Sequence, residues 1–151
     1  MADPGDNVAI VRRVFETGRG YLRGERGPFE DAVKELVSDD VVFVPSSALP
    51  AGTTGPFRGR EGFVSIYTTV ASLWSSFEIT AKEFVDVPPN NVVVISRVVA
   101  DRGGGVGYAA EVGTVWRVED GRVVSVHSYE NKRRALEEAG VEDLPARDRS
   151  D

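Results

Sequence analysis

The apolar positions in the first third of the chain recur with a helical period. Ile10, Val11, Val14 and Phe15, followed by Tyr21 and Leu22, trace one helical face, with Asp6 or Asn7 placed to cap its start. "RGERGP" breaks that face, and Pro28 suits the first turn of a second helix. On it Phe29, Ala32, Val33, Leu36 and Val37 follow the spacing of a single buried stripe. "VVFVP" (41–45) reads as a short strand that Pro45 ends. The polar stretch "SSALPAGTTGPFRGREG", punctuated by Pro and Gly, has the length of a candidate lid or rim. A third helix carries Phe63, Ile66, Tyr67, Val70, Trp74 and Phe77 on one stripe.

The period then changes to two. "FEITAKEFVDV" alternates with one irregularity, and "NVVVISRVVAD" (91–101), "GYAAEVGTVWRV" (107–118) and "RVVSVHSYE" (122–130) read as strands. "RGGGV" and an Asp-Gly pair join them, the latter a strong hairpin signal. "NKRRALEEAG" forms a short closing helix, with Asn131 as its cap and Gly140 as its stop. The pattern contains no internal repeat. It predicts a disordered N-terminus over 1–6, one domain over 7–140 and a polar tail over 141–151.

Helices followed by a meander of antiparallel strands define an α+β domain with helices on one side of a sheet. In 92–100 both alternate sets are apolar: Val92, Val94, Val98 and Ala100 on one face, Val93, Ile95 and Val99 on the other. Helices on one side alone would leave a polar outer face. A second copy of the chain is the simplest cover. The expected homodimer surface is Val92, Val94, Val98 and Ala100 with Trp116, His127 and Tyr129.

One carboxylate interrupts this reading. Glu111 sits in the middle of an otherwise apolar strand, where an ionised group without a partner is costly to bury. If Asp101 pairs with Gly107, Arg97 lies directly across from Glu111, and each explains the other. A two-residue turn at Asp120-Gly121 then brings Ser128 and Glu130 to the face of Glu111, with His127 and Tyr129 on the opposite one. A one-residue slip reverses that second assignment. An Arg–Glu pair of this kind is either structural or part of a ligand site.

Composition narrows the function classes. The 151 residues suit one domain, and 41% hydrophobic with 28% charged residues is ordinary for a globular chain. A formal charge of −6 and no basic stripe argue against nucleic acid and anionic membranes as partners. No apolar run approaches the roughly 20 residues of a membrane span, and the acidic start "MADPGDN" has no signal-peptide pattern, so the cytoplasm is the expected location. Zero cysteines exclude disulfides and thiol chemistry, and one histidine, His127, makes a metal site unexpected. "DRGGGVG" follows a strand without opening a helix, so it is hairpin chemistry rather than a phosphate cradle.

The ordered set "LVSDDVVF", "FRGREGF", "FEITAKEFVDV" and "VWRVEDGRVVSVHSYENKRRALEEAG" resembles the SnoaL-like group of the nuclear transport factor 2-like superfamily over nearly the whole chain. The resemblance implies a curved sheet wrapped around helices in a cone, an apolar pocket and commonly a homodimer. Members include polyketide cyclases, ketosteroid isomerases, scytalone dehydratases and limonene epoxide hydrolases, so fold alone does not give function. The isomerases' general-base aspartate falls here on Val44 or Pro45, and their hydrogen-bonding carboxylic acid falls on Glu111. The last-strand aspartate of the hydrolases and cyclases falls on Ser128, with Glu130 able to substitute. The hydrolases' Arg and Asp pair falls on the strand bearing Ile95 and Arg97. The implied function is binding, with or without transformation, of a small hydrophobic polyketide- or terpenoid-like molecule by cofactor-independent acid–base chemistry. The alternative is a non-catalytic ligand-binding or protein-interaction dimer. Glu111, Arg97, Glu130 and Ser128 are the candidate catalytic residues, and Tyr21, Tyr67, Trp74 and Val126 the candidate ligand contacts. No cofactor is expected.

Overall fold

A computed structural model describes residues 4–45, 56–101, 103 and 107–141. Residues 1–3, most of the loop expected after Pro45, most of the "RGGGV" turn and the tail beyond Val141 lie outside the described residues.

The first helix, α1 (Pro4–Leu22), opens earlier than its cap signal implied. Proline suits a first helical position because the N–H it lacks would have no partner there. Asn7 therefore lies inside the first turn, buried, and its side-chain amide donates to the Pro89 carbonyl at 3.2 Å. Next come α2 (Arg26–Leu36), β1 (Val37–Val44), the two-residue β2 (Phe57–Arg58) and α3 (Gly59–Leu73). Trp74 takes an extended conformation that stops α3, so Phe77 belongs to β3 (Ser76–Val87) rather than to the helix stripe. β4 (Asn91–Asp101), β5 (Gly107–Glu119), β6 (Arg122–Tyr129) and α4 (Lys132–Ala139) complete the described elements.

The strands form one curved, open sheet in the order β2-β1-β6-β5-β4-β3. β3 to β6 are the expected antiparallel meander, whereas β1 joins β6 in parallel. Asp120 and Gly121 both take positive φ, 52° and 78°, the geometry of the tight hairpin turn whose twist matches its strands. The irregularity in β3 is a bulge between Ala81 and Glu83. The β4–β5 ladder sets Arg97 across from Glu111, as the turn arithmetic predicted. In β5–β6 the ladder starts as expected, Glu119 opposite Arg122 and Val118 opposite Val123. It then shifts by one residue, so that Arg117 faces Ser125 and Gly113 faces Tyr129. Such a bulge reverses which side chains point to which face.

The concave face packs on the helices. Val92, Val94, Trp116, Val118, Val123 and Val126 meet Val11, Val14, Phe15, Phe29 and Phe63 in the main core. This corrects the expected dimer surface: Val92, Val94, Val98, Ala100 and Trp116 are buried within the chain. The convex face has its own cover. α4 lays Ala135, Leu136 and Ala139 over Val93 and Ile95, so both alternate sets of β4 are apolar for an intramolecular reason. Gly113 makes that contact possible, since a Cβ there would stand 2.6 Å from Ala135 Cβ and 2.9 Å from the Asn131 carbonyl.

Candidate functional site

A cavity of about 70 Å³ lies between the helices and the concave face of the sheet. α1 contributes Phe15 and Leu22, and α3 contributes Ile66, Tyr67 and Val70. The sheet supplies Phe43 from β1, Phe77 and Ile79 from β3, Val98 from β4, Val112, Thr114 and Trp116 from β5, and Ser128 from β6. The parity of β5 explains its share. Its even positions, Tyr108 to Val118, are apolar or threonine, whereas Glu111, Arg117 and Glu119 fall on the odd set and point outward.

The polar groups of the lining are hydroxyls and one indole N–H. The Trp116 indole N–H donates to Thr114 Oγ1 at 2.8 Å, and that hydroxyl reaches the Val94 carbonyl at 3.5 Å. Tyr67 is boxed by Phe29 at 4.6 Å, Phe63 at 5.8 Å and Tyr21 at 6.4 Å between ring centres. Gly18 admits its ring, because a Cβ there would come within 2.7 Å of Tyr67 Cε2. Burial pushes the Tyr67 phenol far above its ordinary pKa. It stays protonated at neutral pH and is available as a donor.

The residues singled out from the sequence are divided between several places. Tyr67 and Ser128 line the cavity. Tyr21 is buried beside it, its hydroxyl bonded to Thr68 Oγ1 at 3.1 Å. Trp74 packs with Val70 and Ala100 in a satellite cluster, and Val126 lies in the main core opposite Trp116. Glu111 and Arg97 are exposed on the convex face, which corrects the expectation that they point into a pocket. The bulge opposite the Arg117–Val118 step, between Val123 and Ser125 of β6, is the physical reason that Ser128 and Glu111 part company. Opposed across the ladder, Arg97 and Glu111 form no ion pair. Glu111 Oε1 instead accepts from the Lys132 backbone N–H at 3.3 Å, at the start of α4, where a negative charge is favoured. Glu130 is exposed just beyond β6 and is not among the lining residues.

Thr114, Val112, Val98 and Phe43 were not anticipated as lining. For Thr114 and Val112 the signal was present in β5, where the set containing Trp116 is the more apolar and therefore the inner one. Among the described residues no group of three or more His, Asp or Glu side chains is placed to hold a metal ion. No helix among them is long and apolar enough to cross a membrane.

A curved sheet folded over three helices around an apolar cavity is the architecture of the nuclear transport factor 2-like class. Solved structures that share it include the following three. A protein assigned as a SnoaL-like polyketide cyclase, from Jannaschia sp. CCS1, is 18% identical with a TM-score of 0.67, covering 93% of this chain and 94% of its own. TerC, co-crystallised with polyporic acid, is 16% identical with a TM-score of 0.64, covering 89% of this chain and 97% of its own. Rv0760c from Mycobacterium tuberculosis, in complex with estradiol-17beta-hemisuccinate, is 17% identical with a TM-score of 0.62, covering 85% and 95%. At such identities the likeness shows the fold. The family follows from the sequence: residues 11–126 match the SnoaL-like domain, and the chain belongs to that family. No curated protein matches the chain.

Proposed function

We propose that this protein binds a small hydrophobic molecule in the cavity between its helices and the concave face of the sheet. The observation that carries the reading is the lining itself, aromatic and aliphatic side chains with Tyr67, Thr114 and Ser128 as the hydroxyl-bearing members. Ligands on structural neighbours such as Rv0760c and TerC support it. Among the described residues the lining holds no carboxylate, imidazole or amine. The acid–base chemistry read from Glu111, Arg97 and Glu130 therefore has no group at the ligand, and binding is favoured over turnover. A cavity of about 70 Å³ holds only a few water-sized spheres, so even a ring-sized ligand enters by moving its walls apart. Benzene is the simplest probe. Titration should shift the methyl resonances of Val98 and Val112, and Val112→Trp should abolish the response by filling the space. Unmoved lining methyls at saturating benzene would refute the reading.

The proposal includes a homodimer through the part of the convex face that α4 leaves uncovered. There His127 and Tyr129 stack, with ring centres 6.5 Å apart, and Val99 is 45% exposed. Light scattering at micromolar concentration should return twice the chain mass, and a monomer mass removes this part.

A further inference from the structure

Ser96 is the exception on the concave face. The β4 residues of that face are otherwise Val92, Val94, Val98 and Ala100, yet Ser96 is 1% exposed and its Oγ has no hydrogen-bond partner among the described residues. A buried hydroxyl that makes no bond destabilises a fold, and valine or alanine would suit the strand better. β4 is interior to the sheet, with Ser96 opposite Ala81 on one side and Val112 on the other. Ser96 is not itself a lining residue, but its neighbour along the strand, Val98, and its partner across it, Val112, both line the cavity. Its hydroxyl therefore lies directly behind that wall and is uncovered when a ligand moves the wall outward. Thr114, which does line the cavity, already receives the Trp116 indole.

We propose that Ser96 is the polar anchor of the cavity: its hydroxyl hydrogen-bonds an oxygen function of the bound molecule, so the site selects an apolar body carrying one hydroxyl or carbonyl over the hydrocarbon of the same shape. This rests on the reading of the cavity as a ligand site. It goes further by assigning the residue that reads the ligand and the chemical class that it reads. A site built to bond one group discriminates strongly against the analogue that lacks it, because its own polar atom is then left unpaired. In the free protein the hydroxyl is a liability. In the complex it becomes the orienting contact.

Phenol and benzene form the test pair, titrated into the full chain and followed by NMR. Ser96→Ala should weaken phenol about five- to tenfold while leaving benzene within about twofold. The ligand-free variant should melt at the same temperature as the wild type or higher, because an unsatisfied group has been removed. Ser96→Val should behave likewise toward phenol and provides a second variant. Benzene binding with equal losses of both probes, or with no loss of phenol, would overturn the role of Ser96 and leave the cavity reading standing. Failure of both probes to bind wild-type protein would overturn both. A lower melting temperature for ligand-free Ser96→Ala would show an internal partner for the hydroxyl and overturn the anchor.

Discussion

Glu111 illustrates how one side chain's environment depends on the parity of its strand. On the concave face its charge would be stripped of water, but on the convex face it stays exposed and serves the first backbone N–H of α4. Arg97 across the ladder is exposed too, and charges in that setting contribute little to each other. The perturbed ionisable group of the cavity is Tyr67, which the sequence places on the apolar stripe of α3 and among the candidate ligand contacts. Its consequence is alkaline instability. The folded state holds the phenol proton above the pH at which the unfolded chain releases it, near 10. The contribution is therefore fully present below pH 10 and declines as the pH rises further, because the unfolded state then binds fewer protons than the folded one. Urea stability should fall from about pH 10 upward, and Tyr67→Phe should flatten that fall relative to wild type. An identical alkaline slope in the variant would mean that the phenol is solvated.

Elements were legible where a local signal acts alone. Asn131 and Gly140 bound α4 as its sequence indicates: the Asn131 side chain accepts from the Arg134 N–H at 2.9 Å, and Gly140 takes φ 95°. The Asp-Gly turn and the β4–β5 register have the same character. What α4 covers was not legible, because helical periodicity says which face is apolar but not which sheet face receives it. Gly113 holds that information, although as a bare glycine in a strand it reads only as a weak point or a close approach. Gly113→Ala should cost about 1–3 kcal/mol through overpacking against Ala135 and the Asn131 carbonyl. Denaturant unfolding gives the loss, and hydrogen exchange should place it in α4 first. Full protection of α4 in the variant would show that the helix accommodates the methyl without moving.

At the scale of the whole molecule, fold class and family were visible because they rest on the order of many elements, each tolerant of error at its ends. The site was less visible, because a single inserted residue between Arg117 and Val118 on one side and Val123 and Ser125 on the other decides what faces inward. Alternation taken strictly from the turn joins Ser128 to Glu111, whereas the bulge joins it to Thr114. The parallel pairing of β1 with β6 was also hidden, since a sequence displays neighbours along the chain more readily than distant partners. That pairing has a consequence in time. During synthesis β1 is complete at Val44, while its partner begins only at Arg122. At roughly 5–20 residues per second the strand spends on the order of ten seconds without it. Two-residue β2 pairs only with Val42 and Phe43 and leaves the other edge open for that interval. Nascent chains stalled before Arg122 should accordingly be cut by protease within β1, while chains stalled after α4 has left the ribosome resist. Equal resistance of the two would mean that the first half of this protein shelters its own edge until the last strand arrives.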